Sequence, residues 1–481
     1  MRILYLTPYV PDAIRTRPYN LLKAMAGRGH ALTLLCVAQG DGLFARRPSA
    51  AEEAALAELR ACGIRAAAVV LPRWRSLLNC LLALPSATPL QAVYCWSPTL
   101  ARQLAVELGP VSSRFTPPAA ALPTPSASLA APALERYDVF HIEHLRAARY
   151  GLCLGNSKFE IRNSNCLHPP IVWDSVDCIS HLFAQSAERS RNLFGRVVTR
   201  LELPRTRRYE AMLLRAFDHA LVTSAVDQAA FAALRPEPQG VNFQPPTSNL
   251  QLPTSNLQPP TVLPNGVNLA RFCPGDAPLR EPEIVFSGKM SYHANVTAAL
   301  YLAQEVMPLI WQERPDARLI IAGSGPPAAV QSLAGPRVAV TGYVSDLASL
   351  LRRAAVAAAP MPYGAGIQNK VLEAMACGTP VVATPQAVSA LAAQAGAEVL
   401  VGTNAAELAA HVVRLLGDPA AARRIGAAGR AYVERQHDWA SIAERLEQVY
   451  GEEIGKTRPA LPPLACGERP LPSPLCGEGR G

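Results

Sequence analysis

Residues 356–384 read VAAAPMPYGAGIQNKVLEAMACGTPVVAT, an apolar run followed by a glycine-containing loop and a stretch with helical spacing. The pattern predicts a buried strand that ends at Pro360, a helix over residues 367–377 and another strand over residues 380–383. Gly378 directly follows the helix, as is typical of a helix C-terminus. This order predicts a parallel βαβ unit, in which a ligand binds where the first strand ends.

The loop and the start of this helix suit a ligand that contains phosphate. Gly364 and Gly366 allow a ligand to approach the backbone closely, and the free N–H groups of the first helical turn attract an anion. Lys370 adds a positive charge, and Glu373 follows on the same helix face, where a carboxylate can accept both hydroxyl groups of a ribose. A surface ion pair between Lys370 and Glu373 beside a plain turn is the alternative, and spacing leaves both open.

A second basic residue follows another predicted strand. Residues 286–295 read FSGKMSYHAN, in which Lys289 comes directly after a strand and Asn295 is placed to cap the next helix. A lone lysine at such a position is often only solvated. Two basic loops in one half of the chain favour a shared anion site, because the carboxyl ends of parallel strands lie at one edge of a sheet.

Strands and helices alternate along both halves of the chain. Predicted strands cover residues 2–7, 31–37, 66–71, 138–142, 171–173 and 220–223, and then 283–286, 318–322, 338–341, 356–360 and 380–383. Two successive α/β halves predict two Rossmann-like domains that face a cleft.

The predicted domain boundaries follow from this division. The first domain covers residues 1–235, a low-complexity linker covers 236–261, and the second domain covers 262–436. A C-terminal helix is predicted over residues 437–454 and a disordered tail over 455–481.

Several segments do not fit the α/β pattern. Residues 116–132, 236–260 and 458–481 are rich in proline, and the second contains the sequence TSNLQ at 247–251 and again at 254–258. Short repeats with few large apolar residues cannot bury a core. We therefore predict surface insertions and a disordered tail, with a further insertion over residues 155–168.

Composition limits the classes of partner and the compartment. Lys and Arg outnumber Asp and Glu by 46 to 37, giving a net charge of +9, which favours anionic partners. The basic residues are not interleaved with aromatic ones, so nucleic-acid binding is not expected. Eleven scattered cysteines without a CxxC pair indicate reduced thiols, and neither a signal peptide nor a membrane-spanning run is apparent. These features predict a cytoplasmic protein, compatible with peripheral contact at the inner face of the membrane.

Residues 364–380, GAGIQNKVLEAMACGTP, resemble the nucleotide-sugar signature of the family 4 retaining glycosyltransferases, which have the GT-B fold. Residues 262–272, VLPNGVNLARF, resemble the segment that leads into the second domain of that family. Residues 286–295, TPYVPDAIRTRPYNLLKAMAGRGH from residue 7 and YDVFHIEHLRAARYG from residue 137 are similar to a subgroup of sugar transferases from bacterial surface-polysaccharide clusters.

The resemblance implies a nucleoside diphosphate sugar held by the second domain and a saccharide or lipid-linked acceptor held by the first. It implies no cofactor and no metal, because basic residues and helix dipoles replace a metal at the diphosphate. The donor-binding residues it implies are Lys289 at the diphosphate, Gly366, Ile367, Gln368 and Asn369 at the phosphates or sugar, Lys370 as a further cation, Glu373 at the ribose, and Tyr343 and Val344 at the base.

Two departures from the family pattern affect the donor site. The family usually has two glutamates eight positions apart, but Ala365 stands eight positions before Glu373. A second basic residue of the phosphate loop is also replaced, since Asn295 stands at its position and Lys370 is the candidate substitute. The donor sugar and the catalytic details are therefore open.

The segment HIEH, residues 141–144, supplies the candidate catalytic groups of the first half. The family's active-site histidine aligns with Glu143, and His144 is adjacent, so either could bind a sugar hydroxyl or accept the acceptor's proton. His141 lies inside the strand and is expected to be buried. Strand alternation places His141 and Glu143 on one face and His144 on the other, which argues against a metal site.

The candidate acceptor-binding residues are Arg15, Arg17 and Asp174. The two arginines replace a glycine loop of the family and could meet an anionic acceptor such as a phosphate-linked lipid, or be plain exposed arginines. Asp174 and Asp177 in WDSVD could contact the acceptor or cap the next helix, and the cap is the preferred interpretation.

From the resemblance we predict a hexosyltransferase-like, metal-independent enzyme of polysaccharide biosynthesis that transfers a sugar from a nucleoside diphosphate sugar with retention of configuration. A nonhydrolysing sugar-nucleotide epimerase, or a donor-binding module with little catalysis, is the alternative. A nicotinamide oxidoreductase is not expected, because no GxGxxG follows the first strand.

Overall fold

The computed structural model of the chain describes residues 1–13, 15–108, 137–161, 169–189, 193–234, 259–275, 281–363 and 366–457. The predicted insertions over 116–132 and most of 236–261, residues 458–481 of the predicted tail, and Gly364 and Ala365 lie outside these ranges. Residues 455–457, which were predicted to belong to the tail, are helical.

The first half forms one parallel sheet covered by helices on both faces. Its elements are β1 (Arg2–Thr7), α1 (Thr16–Gly27), β2 (Ala31–Ala38), α2 (Ala50–Ala61), β3 (Arg65–Val70), α3 (Arg73–Ala83), α4 (Leu90–Tyr94), α5 (Pro98–Leu108), β4 (Val139–Glu143), α6 (His144–Ile161), β5 (Ile171–Val176), α7 (Ile179–Arg189), α8 (Leu193–Ala216), β6 (His219–Val222), α9 (Ala225–Ala232) and β7 (Thr261–Val262). The strand order is β3-β2-β1-β4-β5-β6-β7. Strand β4 is buried along its whole length, as expected for a central strand of a covered parallel sheet.

The second half forms a second parallel sheet. Its elements are β8 (Glu281–Ser287), α10 (His293–Tyr301), a π-helical turn (Leu302–Val306), α11 (Met307–Glu313), β9 (Arg318–Ala322), α12 (Ala328–Gln331), β10 (Val338–Gly342), α13 (Leu347–Arg353), β11 (Ala354–Ala359), α14 (Asn369–Ala376), β12 (Val381–Ala383), α15 (Pro385–Val388), β13 (Leu400–Val401), α16 (Ala405–Gly417), α17 (Pro419–Gln436) and α18 (Trp439–Thr457). The strand order is β10-β9-β8-β11-β12-β13. Two α/β domains that face each other are the predicted fold class, and this prediction is confirmed.

The chain crosses between the domains twice, at positions that differ from the predicted boundaries. Strand β7 pairs with β6 of the first sheet, although residue 262 was expected to open the second domain. Helix α18 returns to the first domain, where Tyr450 and Trp439 join its core. A Cβ atom at Gly266 would lie 2.6 Å from the Trp439 ring, so the first crossing and α18 are in close contact.

Several local predictions need correction. Residues 155–161 continue α6 instead of forming an insertion, and residues 162–168 lie outside the described ranges. Helix α8 begins at Leu193 and contains Pro204 in its interior. Helix α14 begins at Asn369, two residues later than expected, and Gly378 follows it with a φ of 64°, as predicted for a helix end.

Candidate functional site between the two sheets

Four loops at the carboxyl ends of β8, β9, β10 and β11 form one side of the site. Gly288 and Gly323 lie side by side there, and a Cβ atom at Gly323 would come within 1.7 Å of the Gly288 carbonyl oxygen. The two loops therefore meet through backbone alone, and a side chain at position 323 would not fit between them. Lys289 and Tyr343 project from this edge with exposed side chains, and Val344 is half-buried beside Tyr343.

Lys370 is enclosed by polar and aromatic neighbours. Its Nζ lies 2.6 Å from Asn295 Oδ1 and 4.9 Å from the centre of the Phe286 ring. Asn295 Nδ2 in turn donates to the Lys289 carbonyl oxygen at 2.9 Å, so the two lysine-bearing segments are joined. Burial lowers the pKa of Lys370 to about 7. The arrangement excludes the plain surface ion pair with Glu373, since the lysine binds an amide and lies against a ring.

Asn295 does not have the predicted capping role. Helix α10 begins at His293, two residues earlier, and Tyr292 occupies its cap position. Asn295 is buried inside the helix, where its side chain links Lys370 to the β8 loop. A short polar residue near a helix start is ambiguous in sequence, because capping and tertiary bonding need the same atoms.

Glu373 lies near an arginine that sequence analysis did not select. Burial raises the pKa of Glu373 to about 7, against the opposing charges of Arg271 and Lys370. Arg271 also donates to the Ser345 carbonyl oxygen at 3.3 Å, which connects it to the β10 loop that carries Tyr343. Arg271 belongs to VLPNGVNLARF, the segment that resembles the entry to the family's second domain, and this resemblance is the signal that could have identified the contact.

The start of α14 reaches across to the first domain. Asn369 Nδ2 lies 3.3 Å from Thr16 Oγ1. Gly366 has a φ of 72°, and a Cβ atom there would lie 2.3 Å from Asp177 Oδ1. Ile367 is buried. Gln368 occupies the N-cap position of α14, but its side chain makes no capping hydrogen bond. The carboxyl edges of the two sheets therefore face each other at this point.

Glu143 ends β4 on the opposite side of the cleft. Its carboxylate accepts from the Tyr5 hydroxyl at 3.1 Å and from the Tyr9 hydroxyl at 2.8 Å. Burial, and then the negative charge of Asp174, raises the pKa of Glu143 to about 8. Neither tyrosine was selected from the sequence. Tyr5 could have been found, because the pairing of β1 with β4 sets it opposite His141, two residues before Glu143.

The two histidines of the HIEH segment have different surroundings. His141 is buried, stacks on Tyr5 at 4.1 Å and lies 2.8 Å from the Tyr450 hydroxyl of α18, so its predicted burial is confirmed. His144 adopts a left-handed φ of 64°, and its Nδ1 accepts from the Arg146 backbone N–H at 3.2 Å. Burial and the charge of Arg146 lower the pKa of His144 to about 3. His144 is neutral at pH 7, with Nδ1 already used at the start of α6.

The predicted acceptor residues Arg17 and Asp174 are buried against each other. The Arg17 guanidinium lies 2.7 Å from Asp174 Oδ2, and the two side chains are 4% and 0% exposed. Arg17 also donates to the carbonyl oxygens of Leu263 and Pro264, at 3.0 and 3.2 Å. The pair ties β5 to the crossing between the domains and has no open surface for an acceptor, which corrects both predictions.

Asp174 and Asp177 do not cap helix α7 either. Glu210 accepts from the Ile179 backbone N–H at 2.8 Å, and Asp227 accepts from the Cys178 backbone N–H at 2.9 Å. The cap therefore comes from α8 and α9, which the local sequence could not reveal. Burial, and then the charge of Asp227, raises the pKa of Asp177 to about 7.

Arg15 lines a cavity of about 270 Å³ in the first domain. Its guanidinium lies over the Tyr9 ring at 4.6 Å, so the cavity adjoins the tyrosine that donates to Glu143. Arg146 lies over the Tyr94 ring at 5.6 Å and supplies a second positive charge. The cavity is lined by Pro8, Tyr9, Arg15, Gln39, Cys80, Leu90, Gln91, Tyr94, Cys95 and Arg146.

A metal-ligand cluster was not predicted from the sequence. Within the ranges the structure describes, no group of three or more His, Cys, Asp or Glu side chains is arranged to hold a metal ion. None of the helices in these ranges is both long and apolar enough to cross a bilayer.

Residues 281–418 match the family described as "Glycosyl transferases group 1". The chain is 31% identical over 212 residues to a GDP-mannose-dependent monoacylated alpha-(1-6)-phosphatidylinositol monomannoside mannosyltransferase of Corynebacterium glutamicum, a match that covers 40% of this chain and 56% of that protein. It is 30% identical over 228 residues to a glycogen synthase of Mycobacterium tuberculosis, covering 44% and 53%. The chain thus spans about half the length of these curated relatives.

Solved structures extend the likeness over nearly the whole chain. Anabaena HepE in complex with UDP and glucose superposes with a TM-score of 0.57 at 14% identity, covering 94% of this chain and all of that one. Sucrose-phosphate synthase from Thermosynechococcus elongatus gives a TM-score of 0.57 at 17% identity, covering 94% and 98%. These likenesses confirm the predicted GT-B fold. The similarity to glycosyltransferases in sequence rests on the match of residues 281–418 and on the curated relatives.

Proposed function

With the GT-B fold and the glycosyltransferase match of residues 281–418 as the premise, we propose that this protein transfers a sugar from a nucleoside diphosphate sugar to an anionic saccharide or a phosphate-linked lipid. One observation carries the proposal. The lysine-bearing edge of the second sheet meets the Glu143 side of the first sheet through the contacts of Asn369 with Thr16 and of Gly366 with Asp177.

The donor would lie along the edge of the second sheet. Lys289, Lys370 and the start of α14 would hold the diphosphate, because a charged hydrogen bond to phosphate is about twice as strong as a neutral one. Glu373 would hold the ribose, and the positive charge of Arg271 would favour the ionised form of Glu373. Tyr343 and Val344 would contact the base. Of the similar proteins, HepE was solved with UDP, and the Corynebacterium relative is named for GDP-mannose.

Glu143 would act at the acceptor, although its side chain is buried at the end of β4. An acceptor hydroxyl would reach it from the cavity that Tyr9 lines, since the Tyr9 hydroxyl donates to the Glu143 carboxylate. With a pKa of about 8, it is mostly protonated at pH 7, and above pH 8 it becomes a base able to accept a proton from an acceptor hydroxyl. Tyr5 and Tyr9 would hold the carboxylate in place through their hydroxyl groups. We assign no proton transfer to His144, since its pKa of about 3 leaves it unable to bind a proton near neutral pH.

The acceptor would enter the cavity beside Tyr9. Arg15 and Arg146 supply two positive charges there, which suit a phosphate or another anionic group on the acceptor. Retention of configuration belongs to this proposal on the basis of the family resemblance. Action at the cytoplasmic face of a membrane also belongs to this proposal, on the basis of the net charge of +9.

The test is turnover of a panel of sugar nucleotides with and without anionic acceptors. We expect one donor to be consumed faster when a phosphate-linked acceptor is present, with the new glycosidic bond in the donor's anomeric configuration by NMR. Conversion of the donor into a second sugar nucleotide without acceptor would instead identify an epimerase. Donor binding with no turnover under any condition would identify a binding module.

A further inference from the structure

The large apolar side chains of helix α3 point outward instead of into the core. Leu77, Leu81 and Leu82 are 57%, 62% and 69% exposed, whereas Ser76 and Ala83 on the inner side are buried. A surface helix ordinarily buries its large apolar residues and exposes polar ones. Helix α3 has the opposite arrangement. Its outer side is a contiguous surface of leucines, and exposing such a surface to water is unfavourable.

Polar contacts on the inner side fix this orientation. Asn79 Nδ2 donates to the carbonyl oxygens of Val93 at 3.1 Å and Trp96 at 2.9 Å. A rotation that buried the leucines would break both bonds and carry the amide away from the two carbonyl oxygens, which would lose their donor. The outward leucines are therefore a consequence of how α3 packs on α4.

The apolar surface continues beyond the helix at its N-terminal end. The Trp74 backbone N–H donates to the Leu43 carbonyl oxygen at 3.2 Å, and the rings of Trp74 and Phe44 lie 6.5 Å apart. Phe44 is 71% exposed. We call the outer side of α3 together with Leu43, Phe44 and Leu84 the α3 face.

Positive charge surrounds the α3 face. Arg46, Arg47, Arg73 and Arg75 are exposed, and the Arg75 guanidinium lies 5.0 Å from the Trp74 ring centre. Residues 42–49 and 73–84 contain no acidic residue, and Asp41 is the acidic side chain adjoining the first of these segments. The surface therefore combines leucines, two aromatic rings and a cluster of arginines.

We propose that the α3 face docks on the surface of an anionic lipid bilayer. Leucines of an amphipathic helix insert at the boundary between headgroups and acyl chains, tryptophan is enriched at that depth, and arginines bind lipid phosphates. A second copy of the chain fits less well. A two-fold interface would bring the same arginine cluster of both copies together, and like charges repel.

The position of the cavity gives this docking a use that rests on the proposed function. Cys80 of α3 lines the cavity that holds Arg15 and Arg146, so this cavity lies beside the α3 face. A phosphate-linked acceptor could place its headgroup there while its lipid stays in the bilayer. Docking itself does not depend on sugar transfer and is tested without it.

The experiment is co-sedimentation of the full chain with vesicles of phosphatidylcholine alone or mixed with phosphatidylglycerol. We expect binding to the anionic vesicles that weakens as salt rises. The variant L77S/L81S/L82S should lose at least about tenfold in binding, and R73Q/R75Q about fivefold for each arginine removed. V106S removes a 78% exposed valine of α5, outside the α3 face, and should bind like the unmodified chain.

Circular dichroism and donor binding establish that each variant is folded. R73Q/R75Q tests the α3 face while all of its leucines stay in place. Absence of binding to anionic vesicles at low salt would overturn the proposal, as would unchanged binding by both variants. A dimer in solution that L77S/L81S/L82S dissociates, with no vesicle binding by the unmodified chain, would assign the surface to a second copy. Loss of sugar transfer with intact vesicle binding would contradict the proposed function alone.

Discussion

Donor affinity should depend on pH in a bell-shaped way centred near pH 7. Burial brings the pKa of Lys370 down to about 7 and that of Glu373 up to about 7. The proposed donor contacts need a charged lysine at the diphosphate and a charged carboxylate at the ribose. Above pH 7 the free protein loses the lysine's charge, and below pH 7 it loses the carboxylate's charge.

The magnitude follows from the size of these shifts. Each pH unit beyond the pKa should cost about tenfold in affinity, or ~1.4 kcal/mol, until the pKa of the bound state is reached. Affinity at pH 9 should thus be up to about a hundredfold below its maximum. The sugar nucleotide's own phosphates are diesters that stay charged over this range, so the slopes report on the protein.

Two variants separate the acid limb from the alkaline limb of this pH profile. Lys370→Met should weaken binding at pH 7 by ~1.5–3 kcal/mol and remove the alkaline limb, since no lysine remains to titrate. Glu373→Gln should weaken binding about tenfold and remove the acid limb. The assay is isothermal titration calorimetry of the donor selected by the panel, from pH 5.5 to 9. A flat profile, or an alkaline limb that survives in Lys370→Met, would refute the assignment of Lys370 to the diphosphate.

Four further predictions test other parts of the structure. Arg17→Met should lower the free energy of unfolding, measured with urea, by about 3–5 kcal/mol, because it leaves Asp174 buried and unpaired. The double variant Arg17→Met/Asp174→Leu should recover most of this loss. Equal losses in the single and double variants would show that the ion pair is not the cause. Gly366→Ala should reduce turnover, because its Cβ atom would collide with Asp177. Gly396→Ala is the control, since Gly396 also has a positive φ, of 83°, but open space around it, and it should leave turnover unchanged. Equal rates of donor consumption by the two variants would contradict this prediction. Glu143→Gln should lower turnover by about 10²–10⁴-fold and abolish a rise in rate toward pH 8, and a retained pH profile would remove Glu143 from the role of base. Chelation of divalent ions should leave turnover unchanged, and activity lost with chelator and restored by a divalent ion would contradict a diphosphate held by lysines.

The sequence predicted the two-domain fold because both halves alternate apolar strands with helices, a local pattern. It also placed Lys370 and Glu373 correctly on one helix face, since spacing along a helix is fixed by its pitch. Loop ends and helix starts were less predictable. Asn295 was taken for a helix cap because its tertiary partner, Lys370, lies 75 residues away.

Errors on the acceptor side have the same origin. Arg17 reads as a loop arginine, but its partners at Asp174, Leu263 and Pro264 come from distant parts of the chain. Tyr9 and Arg271 were missed because their significance depends on which carboxylate each one approaches. Helix α3 was not predicted from the sequence, and nothing in its periodicity indicates that the leucine side faces outward.

We propose that the lysine-bearing edge of the second sheet binds the diphosphate of a sugar nucleotide. The most direct measurement is the thermal stability of the chain against a sugar-nucleotide panel, repeated with Lys289→Ala, Lys370→Met and a control, Lys456→Ala, on α18 of the opposite domain. We predict that one donor at a hundred times its Kd stabilises the unmodified chain and the control by about 2.7 kcal/mol, and that the first two variants lose most of this stabilisation. Equal stabilisation of all four proteins would contradict the claim.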